Sequence, residues 1–360
     1  MNNMNIIIAA SGTGGHIYPG IALAHEMKER GFNPVFFVSD NEASGEIIKN
    51  SGFEYIPFNL SGMPRKFSFS FFVFLIKLDF AFFKALKNIM KYKPAAVIGV
   101  GGYISVPAVI AAKVLCKKTF IHEQNTIPGI ANKFLNRFAD KTLVSFKGSE
   151  KYFKNKKNIV FTGYPVRKEI LTVSKEDGCG ALKLDKNTFT VMIFGGSLGA
   201  VKLSAAAFEA FGILSEKMKL QVIHITGKKG FDEIKQKSKN ESSYKVFDYM
   251  HNIANAYAAS DVVICRAGAG TVSELLLLGK SAVLIPYPYA TDNHQYHNAK
   301  EVFQDAKRII IEEEHMTPEN LADAVENLKN CMKADETNSV LTPPQEIIAE
   351  EIIREILTAE

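Results

Sequence analysis

Two glycine-rich turns, each directly behind a short apolar run and each opening a helix, constrain this chain more than any other feature. The first, Ser11-Gly12-Thr13-Gly14-Gly15-His16, follows Asn5–Ala10. The second, Gly195-Gly196-Ser197-Leu198-Gly199-Ala200, follows Thr190–Phe194. Glycine admits backbone N–H groups close to an anion, and a helix N-terminus adds partial positive charge. One such turn in each half predicts two similar α/β lobes with a phosphate-bearing ligand between them.

The chain's 360 residues suffice for two domains with separate cores. With 47% hydrophobic and 22% charged residues it reads as an ordinary globular protein. A net charge of +5 suits phosphates or a membrane surface but is too small to argue for nucleic acid. Cys116, Cys179, Cys265 and Cys331 form no CxxC pair, so neither a disulfide framework nor a zinc site is expected, and a reducing compartment fits. Ile6–Ala10 is too short for a secretory signal core and has no basic region before it. The apolar stretch Pro94–Ala112 is broken by Gly99, Gly101, Gly102 and Pro107, so it predicts strand, loop and helix rather than a membrane span.

Along the first half, strands are expected at Asn5–Ala10, Pro34–Ser39, Glu54–Phe58, Ala95–Val100, Thr119–His122 and Lys141–Ser145. Helices fall between them at Pro19–Arg30 (Pro19 near its first position), Ala43–Ser51, Phe69–Lys91, Ser105–Leu115 and Gly129–Phe138. Asn158–Arg167 reads as a hinge. The alternation then resumes with strands at Thr190–Phe194, Gln221–Thr226, Tyr244–Phe247, Val262–Cys265, Ala282–Ile285 and Arg308–Ile311, and ends in an amphipathic helix, Pro344–Leu357. Short buried strands separated by helices predict parallel, doubly wound sheets.

Neither glycine turn fits a dinucleotide fingerprint, because position 17 is Ile17 and position 197 is Ser197 where that pattern needs glycine; neither continues into the Gly-Lys-Ser/Thr of a P-loop. His16 ends the first turn just ahead of a helix. There the helix dipole disfavours the imidazolium and leaves the ring able to accept a proton, although a histidine so placed also serves simply to bond loop backbone. Gly99-Val100-Gly101-Gly102-Tyr103 makes a third glycine turn, and His122-Glu123-Gln124-Asn125 ends the next strand, where ligands of open α/β sheets bind. In the second half, Arg266 through Glu274 follows a strand. Thr271 and Glu274 fit a capping box, or else Glu274 accepts from a sugar diol. Asp292 through Asn298 is dense in hydrogen-bonding groups, as either a sugar-reading site or a plain loop.

Ser61–Pro94 departs from the rest. It holds eight of the 26 phenylalanines and seven Lys/Arg against the single acid Asp79. Phe69, Phe72, Val73, Ile76, Phe80 and Phe83 form one helical face that is expected to pack on the sheet. That leaves Phe71, Phe74, Leu75, Leu78 and Phe82, with Lys77 and Lys84 among them, as a surplus face for anionic lipid; burial on both sides is the alternative.

In order and spacing, Gly12 through His16, Gly101-Gly102-Tyr103, His122 through Asn125, Gly163-Tyr164-Pro165-Val166-Arg167, Gly195 through Ala200 and Arg266 through Glu274 resemble the MurG family of bacterial peptidoglycan glycosyltransferases over nearly the whole chain. The resemblance implies a GT-B fold: two Rossmann-like doubly wound parallel-sheet domains facing a central cleft. It implies an acceptor-binding, membrane-facing domain over residues 1–163, a UDP-N-acetylglucosamine-binding domain over 164–341, and a C-terminal helix, 342–360, returning to the first. It implies a hexosyltransferase that moves N-acetylglucosamine from UDP-N-acetylglucosamine to lipid I, making lipid II for cell-wall growth, cell shape and division.

By position, the resemblance assigns Ser197 to a phosphate, Ile253 to uracil, Glu274 to the ribose, and Gln295 and Asn125 to the sugar. Thr271, Arg266 and Arg167 lie near the donor, which Thr13, Gly14 and Gly15 also border. Gly14, Gly15, Gly101, Gly102 and Tyr103 hold the acceptor's diphosphate, and His16 is the base. The implied location is peripheral, on the cytoplasmic face of the cell membrane, against anionic lipid and near cell-wall and division proteins. No nucleic acid, cofactor or metal is implied, and the chain has no Asp-x-Asp. Departures are small: Ser11 stands where the family has glycine, and His294 precedes Gln295 where the family often has two glutamines. The rival readings are another UDP-sugar enzyme of this fold, such as a lipid glycosyltransferase or a UDP-N-acetylglucosamine 2-epimerase, and a non-catalytic nucleotide-sugar sensor.

Overall fold

Isoleucines and alanines that are buried on both faces set the centre of the first sheet. Ile6, Ile7, Ile8, Ala9 and Ala10 are all fully buried, as a parallel strand covered by helices on both sides requires. The computed structural model describes residues 4–10, 14–40, 42–60, 62–64, 69–196, 199–302, 307–332 and 342–358. Ser11, Gly12, Thr13, Ser197 and Leu198 of the two glycine turns lie outside the described residues, as do Arg65, Lys66 and Phe67. The chain divides into two units, residues 1–166 with 342–360, and residues 167–341.

Unit 1 carries strands β1 (Met4–Ala10), β2 (Phe32–Ser39), β3 (Glu54–Phe58), β4 (Ala96–Gly101), β5 (Lys118–Glu123), β6 (Lys141–Val144) and β7 (Ile159–Phe161). All pair in parallel, in the order β3-β2-β1-β4-β5-β6-β7. The helices between them are α1 (Gly14–Glu29), α2 (Glu42–Asn50), α3 (Phe69–Tyr92), α4 (Ser105–Val114) and α5 (Ile130–Leu135). Strand order reverses between β1 and β4, and that reversal opens a crevice at the carboxyl ends of the strands.

Two expectations shift here. Helix α1 begins at Gly14, so His16 sits in its first turn and Pro19 lies inside it. Proline has no N–H to give the carbonyl four residues back. That carbonyl, Gly15 O, accepts instead from the Tyr164 hydroxyl at 3.3 Å. Strand β7 falls inside the stretch read as a hinge.

Unit 2 carries β8 (Phe189–Phe194), β9 (Leu220–Ile225), β10 (Tyr244–Phe247), β11 (Val262–Cys265), β12 (Ser281–Leu284) and β13 (Arg308–Ile310), in the parallel order β10-β9-β8-β11-β12-β13. Its helices are α6 (Lys168–Thr172), α7 (Lys175–Leu182), α8 (Val201–Lys217), α9 (Lys228–Lys237), α10 (Ile253–Ala259), α11 (Ala269–Leu277), α12 (His294–Val302) and α13 (Pro318–Cys331). The reversal lies between β8 and β11, behind the second glycine turn. Gly199 has φ +73°, and a Cβ there would stand 2.4 Å from Thr226 O, so the turn excludes other residues at that place.

The last helix, α14 (Pro344–Leu357), belongs to unit 1. Its Ile348, Ala349, Ile352 and Ile356 enter a core with Ile17, Leu23, Ala24 and Met27 of α1. Glu355 pairs with Lys118 at 3.3 Å and Lys141 at 3.2 Å, and the buried Gln345 accepts from Val166 N at 3.3 Å. Truncating Ile352, which is fully buried, to alanine is expected to cost about 2–5 kcal/mol. A urea titration measures this, and an unchanged midpoint would mean that α14 adds nothing to that core.

Helix α3 packs the opposite way round from the expectation. Phe74, Ala81, Ala85 and Ile89 are buried against α4 and the sheet, with Leu78 and Phe82 partly buried beside them. Phe69, Phe72, Ile76, Phe80 and Phe83 are exposed at 83, 61, 58, 72 and 59%. The assignment of Phe74 and Phe82 to the lipid-facing side is therefore corrected. Both faces carry aromatics, but only the inner one carries Ala81 and Ala85, whose small side chains let the helix axis approach its neighbours. Phe71 is partly buried, with its ring 6.3 Å from that of Phe72. Lys77 donates to Asn59 Oδ1 at 3.2 Å, and Lys84 donates to Pro57 O at 2.6 Å over the Phe58 ring, so both cations are tied to the β3 edge.

Candidate active site

In unit 1 the ends of β1, β4 and β5 bring together Gly14, Gly15, His16, Gly101, Gly102, Tyr103 and the stretch 122–125. The β1–β4 register slips between Ala9, opposite Gly99, and Ala10, opposite Gly101. Ser105 closes the turn after β4: its hydroxyl accepts from Gly101 N at 3.1 Å and lies 3.3 Å from Ala9 O. Gly101, at φ +117°, presents its bare Cα to the His16 ring, where a Cβ would lie 2.5 Å from Nδ1. Its N–H donates to Ser105, and its bare Cα makes Gly101 a seat for the histidine ring. Tyr103 stacks edge-on against Phe74 at 5.6 Å, with its ring in the α3–α4 core.

His16 Nδ1 lies 3.0 Å from Gln124 Oε1. Gln124 Nε2 donates to Val100 O at 2.5 Å and lies 3.1 Å from His122 Nδ1; His122 Nε2 in turn lies 3.0 Å from Gly163 O. Burial lowers the His122 pKa to about 4, with the nearby His16 acting in the same direction. Glu123 is buried, which raises its pKa. Its oxygens accept from Asn125 N at 2.9 Å, Gly129 N at 3.1 Å and Asn132 Nδ2 at 2.8 Å. A carboxylate so fully engaged shapes the 124–129 loop. The motif His122-Glu123-Gln124-Asn125 marks this place in the sequence, but only the fold shows that Gln124 stands between two histidines.

In unit 2, the ends of β8, β10, β11 and β12 carry the turn 195–200, Ile253, Arg266, Thr271, Glu274 and Gln295. The capping-box alternative fails, because α11 starts two residues before Thr271. Its cap is Gly268, which has no side chain to offer, and Thr271 stands inside the first turn. Glu274 Oε2 instead accepts from the Tyr257 hydroxyl at 2.9 Å. Burial raises the Glu274 pKa, with Arg167 opposing, and burial raises that of Tyr257 well above its ordinary value. Ile253 opens α10.

Arg266 donates to Ile285 O and Pro286 O at 3.3 Å, lies over the Tyr287 ring at 5.4 Å, and pairs with Glu313. Lys202, at the start of α8, approaches the same carboxylate at 3.8 Å. Arg266 is therefore bound into the β12–α12 loop, and Glu313, which sequence reasoning missed, ties that loop to the segment after the glycine turn. Within the loop Gln295 Oε1 accepts from Tyr287 N at 2.9 Å, and His294 Nδ1 lies 2.8 Å from Thr291 O. Among the described residues no group of three or more His, Cys, Asp or Glu could hold a metal ion, and no helix is long and apolar enough to cross a membrane.

The depressed His122 pKa carries a stability consequence. The unfolded chain takes up its proton below pH 6.5 while the folded site resists until about pH 4, so stability falls as pH drops through that window. The slope is about 1.4 kcal/mol per pH unit. Urea midpoints at pH 7.5 and 5 are expected to differ less in His122→Asn than in the unaltered protein; equal differences would remove His122 as their source.

The model of the glycosyltransferase family 28 N-terminal domain matches residues 6–144, and that of the family 28 C-terminal domain matches residues 190–350. The chain is similar to the UDP-N-acetylglucosamine–N-acetylmuramyl-(pentapeptide) pyrophosphoryl-undecaprenol N-acetylglucosamine transferase of Halothermothrix orenii, with 37% identity over 336 residues covering 91% of each chain. To the transferase of the same name from Acetivibrio thermocellus it is 38% identical, over 90% of this chain and 89% of that one. In three dimensions it resembles MurG of Acinetobacter baumannii, with a TM-score of 0.72 and 25% identity over 99% of this chain and all of the other.

Proposed function

The chain belongs to glycosyltransferase family 28 and, within it, to the MurG transferases, and from that membership we propose how its residues share the reaction. It is an enzyme that transfers N-acetylglucosamine from UDP-N-acetylglucosamine to the muramyl sugar of lipid I, forming lipid II in peptidoglycan synthesis. The observation that carries this reading is the full-length likeness to transferases of that name. It does not favour the epimerase, lipid-glucosyltransferase or sensor alternatives.

Unit 2 binds the donor. Glu274, with one oxygen held by Tyr257, turns the other to the ribose hydroxyls, and Ile253 offers backbone to the uracil. Gln295, whose carbonyl is committed to Tyr287 N, reads the sugar with its amide N–H groups. The diphosphate meets the turn that contains Ser197 and the N-terminus of α11 beside Thr271, which with Arg167 stabilise the charge on departing UDP without a cation. Arg266 acts by holding the β12–α12 loop that leads to Gln295 in the first turn of α12. In unit 1, Thr13, Gly14 and Gly15 border the donor and Asn125 contacts its sugar, while Gly14, Gly15, Gly102 and Tyr103 take the acceptor's diphosphate.

His16 Nε2 accepts the proton of the muramyl C4 hydroxyl as that oxygen attacks the anomeric carbon. The bond to UDP breaks with inversion, giving a β1→4 link. His16→Ala is expected to keep UDP binding and lose at least about 10²-fold in turnover. The assay is acceptor-dependent UDP release and disaccharide formation from a lipid I analogue in EDTA. Near-normal turnover in the variant would sink the base assignment, and UDP binding with no acceptor-dependent release by the unaltered protein would sink the reaction.

The exposed Phe69, Phe72, Ile76, Phe80 and Phe83, with Lys87 and Lys91 further along α3, form an interfacial patch for anionic lipid on the cytoplasmic face of the membrane. Association with cell-wall and division proteins rests on the family resemblance. Replacing Phe72, Ile76 and Phe80 together with serine is expected to lower co-sedimentation with anionic vesicles more than tenfold, since each buried side chain contributes about 1.5–3 kcal/mol. The melting temperature should hold, and unchanged sedimentation would discard the patch.

A further inference from the structure

We propose that Gln124 is a positioning residue that fixes which nitrogen of His16 carries the ring proton, anchored by Val100 O and continued through His122 to Gly163 O. The proposal rests on His16 being the base.

The chain of bonds has only one consistent direction. Gln124 is 2% exposed, and its Nε2 faces two backbone carbonyls, Val100 O at 2.5 Å and His122 O at 3.3 Å. Carbonyls only accept, so the amide nitrogen must stand there; turning the amide over would set oxygen against oxygen. Its oxygen therefore faces His16, and at 3.0 Å it can only accept from Nδ1–H. The ring's lone pair is thereby on Nε2. On the other side, the second Gln124 N–H points at His122 Nδ1, which must accept, so His122 Nε2–H donates to Gly163 O.

His122 is neutral in this arrangement, and burial keeps it so; in a neutral His16 the same bonds leave Nε2 as the acceptor. Protonating His122 would set two donors face to face and break the chain. Unlike the carboxylate that orients histidine in hydrolytic triads, an amide oxygen sets the tautomer while stabilising the imidazolium less than a full negative charge would. A neutral acceptor fits a base that must give its proton up again in every cycle. Gly101 completes the seat, since any side chain there would push the ring off Gln124.

The test is nitrogen NMR of the full-length protein labelled with ¹⁵N-histidine, with resonances assigned through His16→Ala and His122→Asn. The expected result is His16 protonated on Nδ1 and His122 on Nε2 at pH 7.5. A His16 ring protonated on Nε2 would overturn the proposal. In Gln124→Leu the His16 signal should move toward the Nε2–H form, with kcat falling at least tenfold and the donor KM changing less than twofold. An unmoved tautomer in folded Gln124→Leu would overturn it too. Should that variant not fold, Gln124→Met, which keeps the chain length but not the acceptor, gives the same reading. If the tautomer is as proposed but His16→Ala turns over normally, the base reading fails and takes the role of Gln124 with it, while the hydrogen-bond chain stands.

Discussion

One irregularity in one ladder governs the first unit: the slip between β1 and β4 that places Ala10 opposite Gly101 and passes over Val100. Extra residues in a ladder turn their backbone groups to new partners and re-aim the side chains beyond them. Here Val100 O receives the amide of Gln124, the residue just past β5, and the next residue, Gly101, takes a positive φ that makes room for the His16 ring. Ser105 then pins the turn to Gly101 N. Three neighbouring strands are thus locked at their carboxyl ends by backbone geometry, and the histidine is held by what that geometry leaves open. Rigid elements carry the site, and side-chain chemistry is laid over them.

The second unit repeats the architecture with a different electrostatic solution. It carries two partly buried carboxylates with different partners: Glu274 accepts from the Tyr257 hydroxyl, with Arg167 acting on it, and Glu313 pairs with Arg266 and, at longer range, Lys202. Uncompensated, either would be costly where water is largely excluded. Tying Glu274 through only one oxygen leaves a strong acceptor for paired hydroxyls, whereas Glu313 and Arg266 neutralise each other and brace a loop. In the roles proposed above, the same fold position bears proton transfer in one unit and ligand recognition in the other, in keeping with function residing in the site rather than the fold.

Most of the fold was legible because central parallel strands such as β1, β4, β8 and β11, buried on both faces, leave continuous apolar runs. β7 has three residues, none of them fully buried, and sits among the polar residues of the stretch read as a hinge. Three local readings failed for identifiable reasons. Pro19 resembled a first-turn proline because the sequence cannot show that Tyr164, far along the chain, will satisfy the Gly15 carbonyl. Thr271 and Glu274 fit a capping box by spacing, yet Gly268 starts the helix earlier. The faces of α3 were exchanged because large apolar residues were weighed and alanines were not. At the candidate site the motifs located the right strand ends, but the partners of each side chain come from positions distant in sequence. Gln124 meets His16 across a separation of 108 residues, and no local pattern encodes that.

The inversion of α3 bears on what the helix can do. A helix that hides its aromatics and shows its lysines would be an ordinary surface element. This one buries alanines and shows Phe69, Phe72, Ile76, Phe80 and Phe83 along one line, an arrangement that soluble surfaces rarely carry without a partner. Lys84, next to Phe83 of that line, is not free to lead the contact, because it is held over Phe58 and bonded to Pro57 O. Its charge still lies beside the patch, while its bond stiffens the edge from which the helix springs. In the contact proposed above, attraction to anionic lipid comes from the lysines toward the end of the helix, and depth of insertion from the rings. The two contributions are separable by salt, since only the first is screened.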